Sequence, residues 1–487
     1  MLNLTLSQVA AKLRSKEVSS VELTQLSMAR IQETDEKLHA FLTLNFDEAM
    51  EQAKGVDARF AKGEILSPLA GIPISIKDLY CTKGLRTTAS AKFLKDFVPP
   101  YDATVIAKLR EKGSVFMGKV NLDAWAHGVS TENSDFGPTH NPWDLEKVPG
   151  GSSGGSAASV ASRQVWWSPA SDTAGSIRYP ASFCGVVGYK PTYGLTSRSG
   201  VISMASSYDT MGPICRSVED ASIIASEISG RDFLDATSLH GDVPNFHANL
   251  NADMKGVRIG IPKEYFIEGL APDVEKGVRD VIEWYRSHGA EIVDVSIPHS
   301  PYGIAIYYIV CPAEVSSNLA RYDGIRYGHA SSEAENLFEM FAKSRDEGLG
   351  DEAKRRIMIG TYVLTAGYAD AYYNQAQKVR TILCREFEDV FKTVDVLLAP
   401  ITPTTAFKLG SKNSDPLAMY LEDVLAVQAN LVGIPAISLP CGFDSSGMPL
   451  SFQLMGPQMG EQKIFNAGYA YEKEMKWGEK EPKILEK

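Results

Sequence analysis

Apolar positions in the first sixty residues recur at helical spacing. Leu4, Val9, Ala10 and Leu13 share one side of a 3.6-residue turn, and Ser19-Ser20-Val21-Glu22 offers a capping box ahead of Leu23 and Leu26. Residues 4 to about 62 are therefore expected to be two or three helices, with no strand among them. From Leu69 the texture changes to short apolar runs broken by glycine and proline, LAGIPISIKD and GSVFMGKVN, which suit buried strands between helices. Farther along, VRIGIPKEYF reads as a strand, 273–288 as an amphipathic helix, EIVDVSIP as a strand and 304–390 as mostly helical. TVDVLLAPITPTT is a buried strand running into a proline-rich loop, and AISLPCG and SFQLMG add two late strands. Strands interleaved with helices predict an α/β fold with a mixed central sheet covered on both faces. A helical segment over 1–65 precedes a main domain over 66–487, with a Gly/Ser-rich core at about 69–220 and a C-terminal half at about 257–470. The polar, turn-rich stretch 229–256 is either a linker or a surface excursion.

Charge narrows the classes of function. The 487 residues carry a formal net charge of −11 and no Lys/Arg-rich run, which disfavours direct binding to nucleic acid or to an anionic membrane. The six cysteines are scattered and never form C-x-x-C, so neither a disulfide framework nor a zinc site is indicated. The first twenty residues lack a leader-like apolar core, and no run of about 18 apolar residues appears. A reducing, cytoplasmic compartment without membrane attachment is the expectation.

The chemistry concentrates in GIPISIKD at 71–78, PGGSSGGS at 149–156 and SDTAGSIRYPASFCGVVGYKPTYG at 171–194. Crowded glycine and serine can make a flexible linker, but linkers do not carry Phe183, Val186, Val187 and Tyr189 beside Cys184. The glycine loop lacks the Gly-Lys-Ser/Thr ending of a phosphate-binding loop, and Arg178 stands where a G-x-S-x-G elbow needs its second glycine. None of the eight histidines lies in these serine-rich blocks. A lysine can replace histidine as base if burial lowers its pKa, and Lys77 follows the apolar run Ile72-Pro73-Ile74-Ser75-Ile76. A solvated strand end is the other reading of that lysine. Asp172 and Arg178 are expected to brace the serine turn.

Taken together and in this order, the three blocks resemble the amidase signature family of serine hydrolases, including its two serines 24 residues apart, here Ser152 and Ser176. The resemblance implies a single α/β/α domain and a Ser-Ser-Lys triad. Ser176 would be the acyl-forming nucleophile, Ser152 the bridging serine behind a cis peptide bond, and Lys77 the base. The backbone N–H groups of Thr173, Ala174, Gly175 and Ser176 would form the oxyanion hole.

Longer segments, among them STENSDFGPTHNPWDLEKVPGGSSGGS, SSNLARYDGIRYG and DPLAMYLEDVLAVQANLVGIPAISLPCG, are similar to one branch of that family, the glutaminase subunits of tRNA-dependent amidotransferases. That likeness implies glutamine as substrate and ammonia as the product used to convert Glu-tRNA(Gln), or Asp-tRNA(Asn), to the amide. Glutamine needs a cation for its α-carboxylate and an anion for its α-ammonium. Arg356 and Asp423 occupy the matching positions, with Tyr307 a further candidate. It also implies no cofactor or metal in this chain, a B subunit that uses ATP and magnesium and holds the tRNA, and a small C subunit bridging the two. Ala174, where the family usually has glycine, departs from the pattern, as do Arg163-Gln164-Val165-Trp166-Trp167, His127 and Cys311-Pro312. Two other readings stay open: a free-standing amidase on another small amide, and a scaffold subunit weakened in catalysis through Ala174.

Overall fold

The computed structural model describes residues 1–412 and 414–485. Eleven strands form one sheet: β1 (Phe41–Leu44), β2 (Pro73–Lys77), β3 (Val115–Val120), β4 (Trp167–Asp172), β5 (Val187–Lys190), β6 (Thr210–Cys215), β7 (Arg258–Pro262), β8 (Glu291–Val295), β9 (Val396–Pro400), β10 (Ala436–Phe443) and β11 (Pro449–Met455). Their spatial order is β1-β3-β2-β4-β6-β5-β10-β11-β9-β7-β8. Pairs β2/β3, β2/β4, β7/β8 and β7/β9 are parallel, and the rest are antiparallel.

Alternation along the strands sends neighbouring residues to opposite faces, and both faces are covered. Phe116 of β3 enters the larger core with the helices Thr104–Glu111, Val218–Ile228, Pro272–Ser287 and Glu461–Met475. Val115 and Met117 enter a second core with the helices Ser20–Leu38, Phe46–Ala61, Gly154–Ala161 and Arg178–Cys184. The α/β fold with a mixed sheet between helical layers is the one the sequence predicts. No helix among the described residues is long and apolar enough to cross a membrane.

One expectation about the elements needs correction. The N-terminal stretch holds the helices Leu6–Arg14, Ser20–Leu38 and Phe46–Ala61, with the capping box at Ser19 and Glu22 in place, but it is not all helical. His39 ends the second helix in the left-handed conformation, and Phe41–Leu44 then pairs antiparallel with β3 at the sheet edge. The serine-rich stretch 128–215 is folded and not a linker, and it contains three central strands, β4, β5 and β6. Stretch 229–256 is a surface excursion, since Phe246 and Met254 anchor it to the larger core.

Candidate active site

Lys77 ends β2 and Asp172 ends its parallel neighbour β4, so both lie at carboxyl ends of parallel strands, where α/β sheets place ligands. Strand alternation sets Lys77 on the same face as Ser75, whose hydroxyl pairs with Ser159 of the helix Gly154–Ala161. The turn leading into that helix carries Ser152 and Ser153. The structure therefore brings Lys77 to them: its Nζ lies 2.8 Å from Ser152 Oγ, 2.7 Å from Ser153 Oγ and 2.9 Å from Ser171 Oγ.

Lys77 and Ser152 are fully buried, whereas Ser176 keeps 7% of its surface exposed. Burial pushes the Lys77 ammonium down to about 7, against the pull of the Asp123, Asp172 and Asp209 charges. At neutral pH a substantial share of Lys77 is thus a free amine, able to accept a proton. Burial also raises the Asp123 carboxyl to about 7 and Asp209 to about 6.

The peptide bond between Gly151 and Ser152 is cis. Gly151 has to be glycine because a Cβ there would collide with the Asp123 carboxylate and the Val129–Ser130 backbone. This crowding, and not flexibility, explains the glycine loop. Ser153 N–H donates to the Ser176 carbonyl at 3.3 Å, which ties the two serine segments together. No hydrogen bond joins the hydroxyls of Ser152 and Ser176 among the described residues.

The turn before Ser176 folds over Asp172. That carboxylate accepts from Gly175 N–H at 2.7 Å, Ile177 N–H at 3.2 Å, Arg178 Nε at 3.1 Å and Asn430 Nδ2 at 2.9 Å. Burial would raise its pKa, but the Arg178 charge and these donors outweigh it and hold the group at about 2. Asp172 and Arg178 form a fully buried ion pair, and Arg178 also reaches Gln453, Asn430 and the Ala426 carbonyl. Such a pair specifies geometry more than it adds stability.

One of the four amides expected in the oxyanion hole is corrected here. Gly175, at φ +124°, points its N–H at Asp172, so it is already occupied. Thr173, Ala174 and Ser176 have N–H groups without a partner among the described residues. Ala174 does not have positive φ, and its methyl group joins the larger core. The left-handed position of the turn is Gly175, so alanine at 174 fits.

A cavity of about 270 Å³ is lined by Val129, whose backbone abuts Gly151, with Gly128, Tyr308, Glu352, Arg356 and Tyr420 among others. Arg356 lies on the helix Asp351–Leu364, and Asp423 in the short turn of helix Leu421–Leu425. Both are buried. Arg356 Nε pairs with Glu352 at 2.8 Å, its guanidinium lies over the rings of Tyr308 and Tyr420, and its Nη1 is buried without a partner. Tyr308 stacks on Tyr420 and donates its hydroxyl to Asp423 at 3.0 Å. Burial raises the Asp423 carboxyl to about 7, while Tyr308 and Arg356 pull it down.

Tyr307, the further candidate, turns its ring toward Tyr208 in the core; the neighbouring Tyr308 holds the place at Asp423. Ser153, Ser171, Tyr308 and Glu352 escaped the sequence reading. Ser153, adjacent to Ser152, and Ser171, which opens the block at 171–194, carried a signal there.

A family model described as amidase matches residues 22–465. The A subunit of glutamyl-tRNA(Gln) amidotransferase from Geobacter metallireducens is 50% identical over 477 residues, 98% of each chain. That of Trichormus variabilis is 51% identical over 483 residues, 99% of each chain. The crystal structure of the Thermotoga maritima counterpart of these two proteins matches with a TM-score of 0.81 at 39% identity, covering 97% of this chain and 95% of the other. On the family match and these full-length likenesses, the chain belongs to the amidase family.

Proposed function

We propose that this chain is the glutamine-hydrolysing A subunit of a glutamyl-tRNA(Gln) amidotransferase, working by a Lys77-Ser152-Ser176 relay. The observation that carries the reading is the 2.8 Å contact between Lys77 Nζ and Ser152 Oγ, in a chain half identical along its length to proteins of that name.

In the proposed reaction neutral Lys77 accepts the Ser152 proton, and Ser152 takes the Ser176 proton as Ser176 Oγ bonds to the amide carbon of glutamine. The N–H groups of Thr173, Ala174 and Ser176 receive the oxyanion, each donor contributing about 3 to 4 kcal/mol. The relay returns the proton to the departing nitrogen, ammonia leaves, and a γ-glutamyl ester remains on Ser176. Water, deprotonated by the same relay, cleaves the ester to glutamate. Arg356 pairs with the substrate carboxylate through its free Nη1, and ionised Asp423 pairs with the α-ammonium.

Activating a tRNA-linked carboxylate needs a phosphoryl donor, and the sequence has no P-loop and no basic run for tRNA. A partner protein therefore supplies ATP and magnesium chemistry and holds the tRNA, a small third protein bridges the pair, and ammonia passes between the sites internally. The six cysteines are free thiols, which suits the cytoplasm. The test is to supply glutamine, ATP, magnesium and Glu-tRNA(Gln) to the chain alone and with its partners. Slow glutaminase activity alone, and Gln-tRNA only with partners, is expected. Gln-tRNA formed by the lone chain, or faster cleavage of simple aliphatic amides than of glutamine, contradicts the reading.

A further inference from the structure

A neutral lysine amine has two N–H donors and one lone pair, and only the lone pair can act as base. Around Lys77 Nζ stand three hydroxyls at nearly equal distance: Ser152 at 2.8 Å, Ser153 at 2.7 Å and Ser171 at 2.9 Å. Distance alone does not decide which of them faces the lone pair. The hydrogen-bond inventory does so in part. Ser153 Oγ–H donates to the Ser171 carbonyl at 3.2 Å, so toward Lys77 that hydroxyl can only accept. One lysine N–H is thereby fixed on Ser153. The second N–H and the lone pair divide between Ser152 and Ser171, whose hydroxyl at 2.9 Å is nearer to Nζ than its carbonyl at 3.5 Å, and Lys77, Ser152 and Ser153 have no exposed surface.

We propose that Ser153 and Ser171 are positioning residues that accept the two N–H groups of neutral Lys77 and so aim its lone pair at Ser152. This rests on the relay reading above and adds the reason why a lysine among three hydroxyls activates one of them. When the Ser152 proton arrives at Nζ, the ammonium donates to all three oxygens, so both accessory hydroxyls also stabilise the protonated base. Removing either one has two consequences. The lone pair loses its direction, which lowers the rate, and the ammonium loses an acceptor, which lowers the Lys77 pKa.

The experiment uses a fluorophosphonate, which modifies an activated serine whatever amide the enzyme cleaves. Its bimolecular labelling rate at Ser176, located by peptide mass, is followed against pH for the full chain and for Ser153→Ala, Ser171→Ala and Ser171→Thr. Melting curves confirm that each variant is folded. Expected is a roughly tenfold fall for each alanine variant, an acid limb displaced to lower pH in both, and recovery with threonine, which keeps the hydroxyl. Folded alanine variants with the parent acid limb overturn the proposal, as does a faster Ser171→Ala, which would mean that Ser171 competes for the lone pair. Failure of the relay reading itself looks different, since Ser176 would then not be labelled in the parent chain.

Discussion

The two sides of the site are built by different means. The serine side, Lys77 with 149–156 and 168–178, consists mainly of backbone, small residues and one fully buried ion pair, with Ser176 alone keeping some exposure among the triad. The opposite wall consists of long side chains: Arg356 on Glu352, and Tyr308 stacked on Tyr420 and bonded to Asp423. The first cannot move without moving the sheet, whereas the second can be remodelled by rotamers. On the proposed function, chemistry is built into the fold and substrate choice into exchangeable side chains. Arg178 joins the two, since it holds Asp172 under the nucleophile turn and reaches the Ala426 carbonyl three residues beyond Asp423.

Variants on the serine side should remove rate for every amide. Ser176→Ala is expected to lower kcat by roughly 10³-fold or more, with Lys77→Ala close behind, because relay members act as a unit. A rate assay on glutamine and on a simple aliphatic amide should give equal losses. Arg178→Ala leaves the buried Asp172 charge uncompensated and should destabilise the fold by about 3 to 5 kcal/mol, read from denaturant unfolding. An unchanged midpoint would show that Asp172 is held without its partner.

Variants on the opposite wall should separate substrates. Arg356→Ala and Asp423→Asn are each expected to lower kcat/KM for glutamine by about 2 to 3 kcal/mol and to spare an aliphatic amide that lacks both charges. Equal losses on both substrates would place these residues in the scaffold.

Acidity sharpens the same contrast. Lys77 must be neutral to act, so kcat should fall as pH drops through about 7 for every amide. Asp423 must be ionised to pair with an ammonium, so the KM for glutamine should also rise below about 7, with no such rise for an uncharged amide. The smallest effect is expected from Ala174→Gly, less than about twofold in kcat, since residue 174 needs no left-handed backbone and its N–H has no partner among the described residues. A large gain would restore the idea of an oxyanion hole weakened by that methyl group.

The sequence disclosed strands wherever burial wrote an apolar run. Ile72 to Ile76 announced β2, and VLLAP announced β9. It hid β4, whose residues WSPASD are buried on both faces, because small polar side chains there bond across the site and leave no hydrophobic alternation. Phe41–Leu44 was hidden for another reason: four residues between helices carry too short a pattern, and their pairing with β3 is a tertiary event.

In the candidate site, motif order singled out Lys77, Ser152 and Ser176, and the fold brings Lys77 Nζ within 2.8 Å of Ser152 Oγ and ties Ser153 N–H to the Ser176 carbonyl. The contacts of Ser171 and Glu352 were not legible, since each has its partner distant in the chain or on another helical turn. Tyr307 and Tyr308 differ by about 100° around a helix, and the sequence alone could not tell which of them faces Asp423.

The central claim is that Ser176 carries the acyl group. Rapid mixing of the assembled enzyme with glutamine, an acid quench and peptide mass mapping tests it most directly. One added γ-glutamyl group is expected on the peptide containing Ser176, and none in Ser176→Ala. An adduct on Ser152, Ser153 or any cysteine, or one that persists in Ser176→Ala, would contradict it.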